Sequence, residues 1–578
     1  DDLWYVEVHA DADVDCTLTA DDAYARPLTW DDGETQAGDD AVAAPDNLGG
    51  DYLFQLPSQT SAWGAWRHVL TVTSGEADLY VQKNAYPTDS TTWRSTNPGS
   101  DAVVLGASDF AANQTWYLRV HASPGAAWSL VSGDLYVPDL GPLGPDDAAP
   151  VSLPVGPEGS AWFRTTIPAD TLAWRLASAG ATLHVTKGAA PVPSRGRYEV
   201  READASLLVP TYLTSGQYVV AVERAGVSSV TVDSRRQRIR VASAEPGAVG
   251  DDFAFTATLA DDGFPWVTWR VDVPVDQIAW QVAVTPLSGT ADVYVRKGDV
   301  PNATRNDGLS EAPGALVDTV TQVPPNLTNG TWYVSVRAAG PGWSCRLTSG
   351  NPEITDVAFV NDPVPVGNGA AHEAQVGWRY FRVPDIASQV GTLGWILDLE
   401  GAPAGTEIAL RRNAVPGRWV YRANGATSTS QSSRVDVTAT SGFLERPNHE
   451  ADIWYIGIYH PTAALGPFAL RTRTFQPTTL AMNGGAVTVS DQVSGRWRYY
   501  KVIVPPGGLG WDLALDPVTS GKPRMVIRRD ILPASYGDIP STGINEGTQW
   551  ASTWQWAVGN DLTNRPYAPY VQGQSADN

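Results

Sequence analysis

One recurring pattern constrains the fold of this chain more than any other sequence feature. A Trp-Tyr pair opens a run of alternating apolar and polar residues at Trp4–Val8, Trp116–Val120, Trp332–Val336 and Trp454–Ile458, with a degenerate copy at 217–222. Alternation with a period of two is typical of a half-buried β-strand. Its return at intervals of about a hundred residues indicates tandem domains of one kind.

Two further signatures recur between these strands. One is a strand with a basic turn that ends at a proline; its copies begin at Asp78, Thr182, Asp292, Glu407 and Arg524. The other is an aromatic strand that also ends at a proline; its copies begin at Trp162, Trp269, Trp378 and Trp497. Since no helical pattern separates them, we predict an all-β chain of tandem antiparallel, jelly-roll-like β-sandwiches. The tryptophans that recur are predicted to face the cores.

The signatures divide the chain into about five units, with one unit split between the ends. We predict β-sandwich repeats at 34–140, 141–242, 243–360, 361–478 and 479–578, the last without its closing strands. Residues 1–33 hold only the terminal strands of a broken repeat. Two interpretations stay open: a piece of a longer repeat protein, or head-to-tail completion of one chain by the next. In the second, self-assembly uses Trp4, Tyr5, Val6 and Val8.

Charge and composition exclude several classes of protein. The 578 residues carry a formal net charge of −23, which disfavours nucleic-acid binding because phosphate backbones are repelled. No run of about 18 apolar residues occurs, so no membrane span is predicted. The two cysteines, Cys16 and Cys345, do not form a disulfide scaffold and are predicted to be free thiols.

The strand signatures resemble the bacterial pre-peptidase C-terminal (PPC) domain family. Asp78–Val81 and Asp292–Val295 match that family's Asp-Leu-Tyr-Val strand, and Trp116–Val120 and Trp332–Val336 match its later aromatic strand. The match is weaker where Thr182, Glu407 and Arg524 replace the aspartate. The resemblance implies secretion, a jelly-roll-like sandwich and an accessory binding or stabilising role without chemistry of its own.

No motif in the chain points to catalysis, so we predict no enzyme activity, no catalytic residues and no cofactor. Acidic pairs raise a weak expectation of Ca²⁺ at Asp31, Asp32, Asp261 and Asp262, because calcium prefers oxygen ligands. Asp78 and Asp292 are expected to hold backbone amides at strand starts. Tryptophans outside the repeat register could stack on sugars; they are Trp93, Trp419, Trp550, Trp554 and Trp556.

These observations predict an extracellular bacterial repeat protein with a structural role. It would serve as a surface stalk, an adhesin segment or a filament subunit, with copies of itself or neighbouring repeats as partners. The alternative is an accessory substrate- or carbohydrate-binding region of a secreted hydrolase whose catalytic domain lies elsewhere, with glycans as possible partners.

Overall fold

The chain is all-β in a computed structural model, as predicted. The described residues form β-strands and two short 3-10 helices, and no α-helix occurs among them. No helix in this described part is long and apolar enough to cross a bilayer. The structure describes 51–57, 65–109, 114–123, 125–156 and 158–357, with shorter segments at 5, 7–9, 25–28, 42–43, 366–367, 377–384, 394–417, 435–437, 441–445, 453–460, 468–474, 476–490, 492, 498–506, 510–515, 519–521, 525–528, 532, 549–552 and 555–559.

The first repeat is a two-sheet sandwich with the pairing order of a jelly roll. One sheet has the order β2-β9-β4-β7 and the other β1-β3-β8-β5-β6. Trp66, Trp116 and Trp128 fill the core between them, as the repeat register predicts. The strands are β1 (Arg26–Pro27), β2 (Val42–Ala43), β3 (Asp51–Pro57), β4 (Ala65–Ser74), β5 (Ala77–Lys83), β6 (Trp93–Ser95), β7 (Asp101–Gly106), β8 (Thr115–Ala122) and β9 (Ala127–Asp134).

The second repeat uses the same order, but one long strand serves both sheets. β13 pairs with β15 through its second half and with β16 through its first. Trp174 and Tyr218 lie in its core, with their ring centroids 5.7 Å apart. Its strands are β10 (Asp139–Pro142), β11 (Val151–Pro154), β12 (Ser160–Ile167), β13 (Trp174–Lys187), β14 (Val200–Leu208), β15 (Gly216–Glu223) and β16 (Ser229–Arg236), with a 3-10 turn at Pro193–Arg195.

In the third repeat, two long strands pair along most of their length. β21 and β24 both cross from one sheet to the other, with register shifts between Pro286 and Thr290. Trp269, Trp280 and Trp332 lie in the core. The elements are β17 (Ile239–Val241), a 3-10 turn at Ala242–Ala244, β18 (Val249–Gly250), β19 (Phe255–Ala260), β20 (Trp266–Val273), β21 (Trp280–Lys297), β22 (Gly308–Ser310), β23 (Asp318–Gln322) and β24 (Gly330–Gly350).

The fourth repeat has sheets of order β26-β33-β28-β31-β30 and β25-β27-β32-β29 around Trp395 and Trp454. Three strand pairs are described in the fifth repeat. The fourth repeat contains β25 (Ile354–Asp356), β26 (Val366–Gly367), β27 (Gly377–Val383), β28 (Gly394–Glu400), β29 (Glu407–Arg412), β30 (Val435–Val437), β31 (Ser441–Glu445), β32 (Trp454–His460) and β33 (Ala469–Thr474). The fifth contains β34 (Thr478–Leu480), β35 (Tyr500–Val502), β36 (Gly510–Ala514), β37 (Met525–Arg528), β38 (Gln549–Ser552) and β39 (Gln555–Gly559).

A short linker strand opens each repeat and pairs in parallel with that repeat's aromatic strand. β1 pairs with β3, β10 with β12, β17 with β20, β25 with β27, and β34 with β35. Three of these linker strands, β1, β17 and β25, lie before the boundaries expected from sequence at 34, 243 and 361. The chain also divides into two compact units, residues 1–237 and 238–578. The first unit therefore holds the first and second repeats, and the second unit holds the rest.

Candidate functional site

The tryptophans nominated as sugar platforms have different surroundings. Trp93 is half-buried, and its ring packs edge-on against Trp116 at 5.2 Å. Lys83 and Arg195 lie over the Trp93 ring, at 5.6 and 5.4 Å from its centroid. These contacts hold the half-buried ring against the first-repeat core. Trp550 lies on β38 and Trp556 on β39, whereas Trp419 and Trp554 lie outside the described residues.

The acidic residues nominated for calcium hold turns where they are described. Asp261 accepts hydrogen bonds from the backbone amides of Gly263 and Gly342, at 2.9 and 3.2 Å. Asp262 accepts one from Phe264 at 3.1 Å. No group of three metal-ligating side chains occurs in the part of the chain that the structure describes. Asp31 and Asp32 lie outside that part.

Two residues of the proposed self-assembly segment are described, and both are exposed. Tyr5 exposes 87% of its surface and Val8 exposes 58%. Trp4 and Val6 lie outside the described residues, as does Cys16. Cys345 is a buried free thiol, and burial raises its pKa to about 12. A thiol this hard to ionise is a poor nucleophile.

A buried carboxylate holds a backbone turn in the first and third repeats. Asp318 is fully buried and accepts hydrogen bonds from Ser310 Oγ at 2.6 Å and the Ala312 amide at 2.7 Å. Asp101 accepts the equivalent bonds from Ser95 Oγ and the Asn97 amide. The expectation that Asp78 and Asp292 hold these backbone amides is therefore wrong, because Asp101 and Asp318 on neighbouring strands hold them. The correct residues lie on β7 and β23, which pair with the tryptophan strands.

Burial gives the third repeat a pH-dependent stability. Burial, with a smaller contribution from the Glu311 charge, raises the pKa of Asp318 and of Asp292 to about 6. Between about pH 4 and pH 6, the folded state therefore keeps the protons on these two carboxyl groups. The unfolded chain releases them near the ordinary aspartate pKa of 3.8. This stabilisation is present below about pH 4 and is lost as the pH rises through about 6.

We therefore expect the backbone amides of β21–β24 to exchange hydrogen more slowly at about pH 5 than at about pH 7.5. The rates are compared after correction for the intrinsic exchange rate at each pH. Asp318→Asn keeps the acceptor for Ser310 and Ala312 and should weaken this dependence. Asp276→Asn, at an exposed position, is the matched control. An unchanged pH dependence in Asp318→Asn would contradict the assignment.

The first two repeats are joined by an apolar junction. Trp162, Ala190, Val192, Val219 and Ala221 of the second repeat form one buried cluster with Ala65, Val104, Leu135 and Val137 of the first. Trp162 is 5% exposed, and its indole N–H donates to the Pro191 carbonyl at 3.2 Å. We call the outer side of the second-repeat sheet the junction face, and the opposing first-repeat residues the abutting end.

Buried charge adds specificity to this first junction. Arg67 of the first repeat lies 3.8 Å from Glu158 of the second, and both side chains are 7% exposed. Burial raises the pKa of Glu158, while the Arg67 charge lowers it. At the edge, Arg197 pairs with Asp109 at 2.6 Å and donates to Ser108 Oγ at 2.7 Å. The two sandwiches therefore contact each other directly through buried and peripheral charged groups as well as through the apolar cluster.

The third and fourth repeats are joined by a second junction of the same design. The junction face of the fourth repeat consists of Trp378, Tyr380, Ala409, Val415 and Tyr455, which cluster with Ala279 and Val323 of the third. Trp378 stacks on Tyr380 with ring centroids 5.5 Å apart. Arg411 donates to the Pro324 carbonyl across this junction at 3.0 Å.

Strand register shows that the two junctions use equivalent positions. Phe163 pairs with Val220 in the second repeat, and Phe381 pairs with Ile456 in the fourth. These pairs align the second repeat with the fourth, and three positions of the junction face then coincide. Trp162 of the second repeat occupies the position of Tyr380 in the fourth. In the same way, Val219 corresponds to Tyr455, and Ala190 corresponds to Val415. On the abutting ends, Ala65 matches Ala279 because each directly precedes a core tryptophan. The two junctions therefore share three positions of the junction face and one position of the abutting end.

The prediction that every recurring tryptophan faces a core is wrong for Trp162 and Trp378. Trp269 does face its core. The distinguishing signal is parity: Trp162 and Trp378 stand six residues before their proline, whereas Trp269 stands five before Pro274. Because side chains alternate faces along a strand, even and odd spacings place the ring on opposite sides of the sheet.

Comparisons with known proteins do not show a family for this chain. No protein-family model matches it, and no curated protein matches it. Among solved structures, a chain from the atomic structure of Sulfolobus Turreted Icosahedral Virus is 8% identical, covering 53% of this chain and 83% of its own, with a TM-score of 0.15. A TM-score this low supports no statement about function.

Proposed function

We propose that this chain is an extracellular bacterial structural repeat protein, serving as a surface stalk, an adhesin segment or a filament subunit. The observation that carries the proposal is the reuse of one junction design between the first and second repeats and between the third and fourth. Each junction buries an aromatic side chain between neighbouring sandwiches. Stalks and filaments need such joints, because a load must pass from repeat to repeat.

Two sequence features support an exposed location. The net charge of −23 favours solubility of a long repeated surface. The resemblance to pre-peptidase C-terminal domains implies a secreted bacterial protein with no chemistry of its own.

Self-association through the split repeat is part of this proposal. The exposed side chains of Tyr5 and Val8 support it, because exposed apolar side chains favour contact with another chain. Copies of the chain would then join head to tail in an open series.

Immunogold electron microscopy of the native cells, with antibodies against residues 160–350, tests the proposed function. We expect label on the cell exterior or on filaments. Label confined to the cytoplasm would contradict the proposal. A glycan array separates it from an accessory carbohydrate-binding role. Binding that is lost in Trp550→Ala and Trp554→Ala but kept in Trp93→Ala would favour that alternative.

A further inference from the structure

The core of the first repeat contains a histidine where the next three repeats carry an aliphatic residue. His68 lies on β4, two residues after the core tryptophan Trp66, and pairs with Ser132 of β9. The later repeats pair an aliphatic residue with a serine or threonine at this position; the pairs are Leu176 with Ser234, Val282 with Ser349, and Leu397 with Thr472. The histidine is therefore a departure of the first repeat from a shared core position.

The hydrogen bonds made by the shared hydroxyl differ in the same way. In the second repeat Ser234 accepts the indole N–H of Trp174 at 3.0 Å, and in the third Ser349 accepts that of Trp280 at 2.9 Å. In the first repeat, by contrast, the serine Oγ at this position lies 2.8 Å from Nδ1 of the histidine. The hydroxyl therefore serves the imidazole in the first repeat.

The surroundings of His68 leave no place for a second proton. His68 and Ser132 are both fully buried, and His68 Nε2 is buried without a hydrogen-bond partner. A neutral imidazole carries one N–H, whereas an imidazolium carries two and a full positive charge. Because only Nδ1 has a partner, the charged ring would leave a buried N–H without an acceptor. Protonation is therefore incompatible with the packed core.

The titratable groups on neighbouring strands do not compensate a charge on His68. Asp101 of β7 and Asp134 of β9 lie on the same side of the sheet as His68, each two residues from the residue that pairs with it. In the opposite sheet, Tyr52 packs against the core, and Lys83 lies at the end of β5. Burial lowers the pKa of His68 to about 3, and the charges of these groups do not offset it.

The stability of the first repeat should therefore fall as the pH falls. The unfolded chain takes up a proton at the ordinary histidine pKa of 6.5, whereas the folded repeat resists protonation until about 3. The stability is complete above about pH 6.5 and decreases as the pH falls toward about 3. The third repeat responds in the opposite direction, since protons on its buried carboxyl groups stabilise it.

The strands around His68 also carry the abutting end of the first junction. Ala65 and Arg67 belong to β4, and Val104 belongs to β7. Arg67 directly precedes His68 and lies 3.8 Å from Glu158 of the second repeat. Opening of this sheet therefore withdraws the abutting end from the junction face.

We propose that His68 makes the first repeat an acid-sensitive joint, which opens and separates from the second repeat when the imidazole is protonated. A single proton then changes how the first two repeats are connected. The proposal goes beyond the proposed structural function and does not depend on it, because the linkage acts in any folded chain with this core.

Hydrogen exchange of the full chain at about pH 7 and about pH 4.5 tests the proposal, with rates corrected for intrinsic exchange at each pH. We expect the opening constant of β4, β7 and β9 to rise roughly 70-fold at the lower pH, as the pKa values of 6.5 and about 3 require. β12 of the second repeat should lose part of its protection with them, because it lies on the junction face.

Two substitutions isolate the contribution of the histidine. His68→Leu introduces the residue that the second and fourth repeats carry, and it should remove most of this pH dependence. His68→Gln keeps a hydrogen-bonding group toward Ser132 but takes up no proton, so it should have the same effect. His121→Gln, at a histidine whose side chain is 54% exposed, is the matched control and should retain the dependence. An equal rise in the natural chain and in His68→Leu would overturn the proposal.

NMR of carbon-13-labelled histidine tests the proposal without a substitution. One of the seven histidine signals should keep the chemical shift of the neutral ring down to about pH 5. The same signal should be missing from His68→Leu. If every signal moved to the imidazolium shift above about pH 5.5, the acid-sensitive joint would be ruled out while the proposed structural function would stand.

Discussion

Trp378→Ala is expected to destabilise the fourth repeat by about 3–5 kcal/mol and to loosen its junction with the third. Trp378 is 6% exposed, stacks on Tyr380 and lies 4.9 Å from Tyr459. The backbone beneath it is shaped to fit, since a Cβ on Gly457 would lie 2.6 Å from the indole. Removal leaves a cavity that strand residues on both sides cannot fill without moving.

Hydrogen exchange of the full chain measures this effect. Protection should fall in β27 and β32 of the fourth repeat and also at the Val323 segment of the third, because that segment belongs to the same cluster. Trp269→Ala is the matched control: its ring lies in the third-repeat core, so the loss should be largest there. Normal protection around Val323 in Trp378→Ala would contradict energetic coupling across the junction.

Arg67→Met is expected to destabilise the first junction by about 3–5 kcal/mol, because it leaves the Glu158 carboxylate buried without its partner charge. The effect should be greater at about pH 8 than at about pH 5, since Glu158 can take up a proton at the lower pH. Burial already raises the pKa of Glu158 with Arg67 present.

A double-mutant cycle isolates this pair. Arg67→Met combined with Glu158→Gln should recover most of the lost protection in β4 and β12, because no buried charge remains. Arg236 and Asp170 form an exposed pair at 2.9 Å in the same unit, so Arg236→Met should have a far smaller effect. Equal losses in the single and double variants would show that packing by Arg67, rather than charge, stabilises the junction.

Some site residues could be predicted from the sequence and others could not. Trp66, Trp280 and Trp332 are core residues as expected, since each recurs in register on a strand that alternates. The amide-binding role was predicted for Asp292 and is filled by Asp318. The two carboxylates lie on different strands, and strand periodicity alone does not show which one reaches the turn at Ala312.

The sequence by itself determined the fold class, the tandem order and most core positions, because strand alternation and turn residues are local properties written along the chain. Only the tertiary structure decided that Trp162 and Trp378 lie between sandwiches and that Arg67 meets Glu158. Those contacts join residues of different repeats. A strand pattern indicates that a side chain is buried. Whether its own domain or a neighbouring domain buries it depends on how whole domains pack.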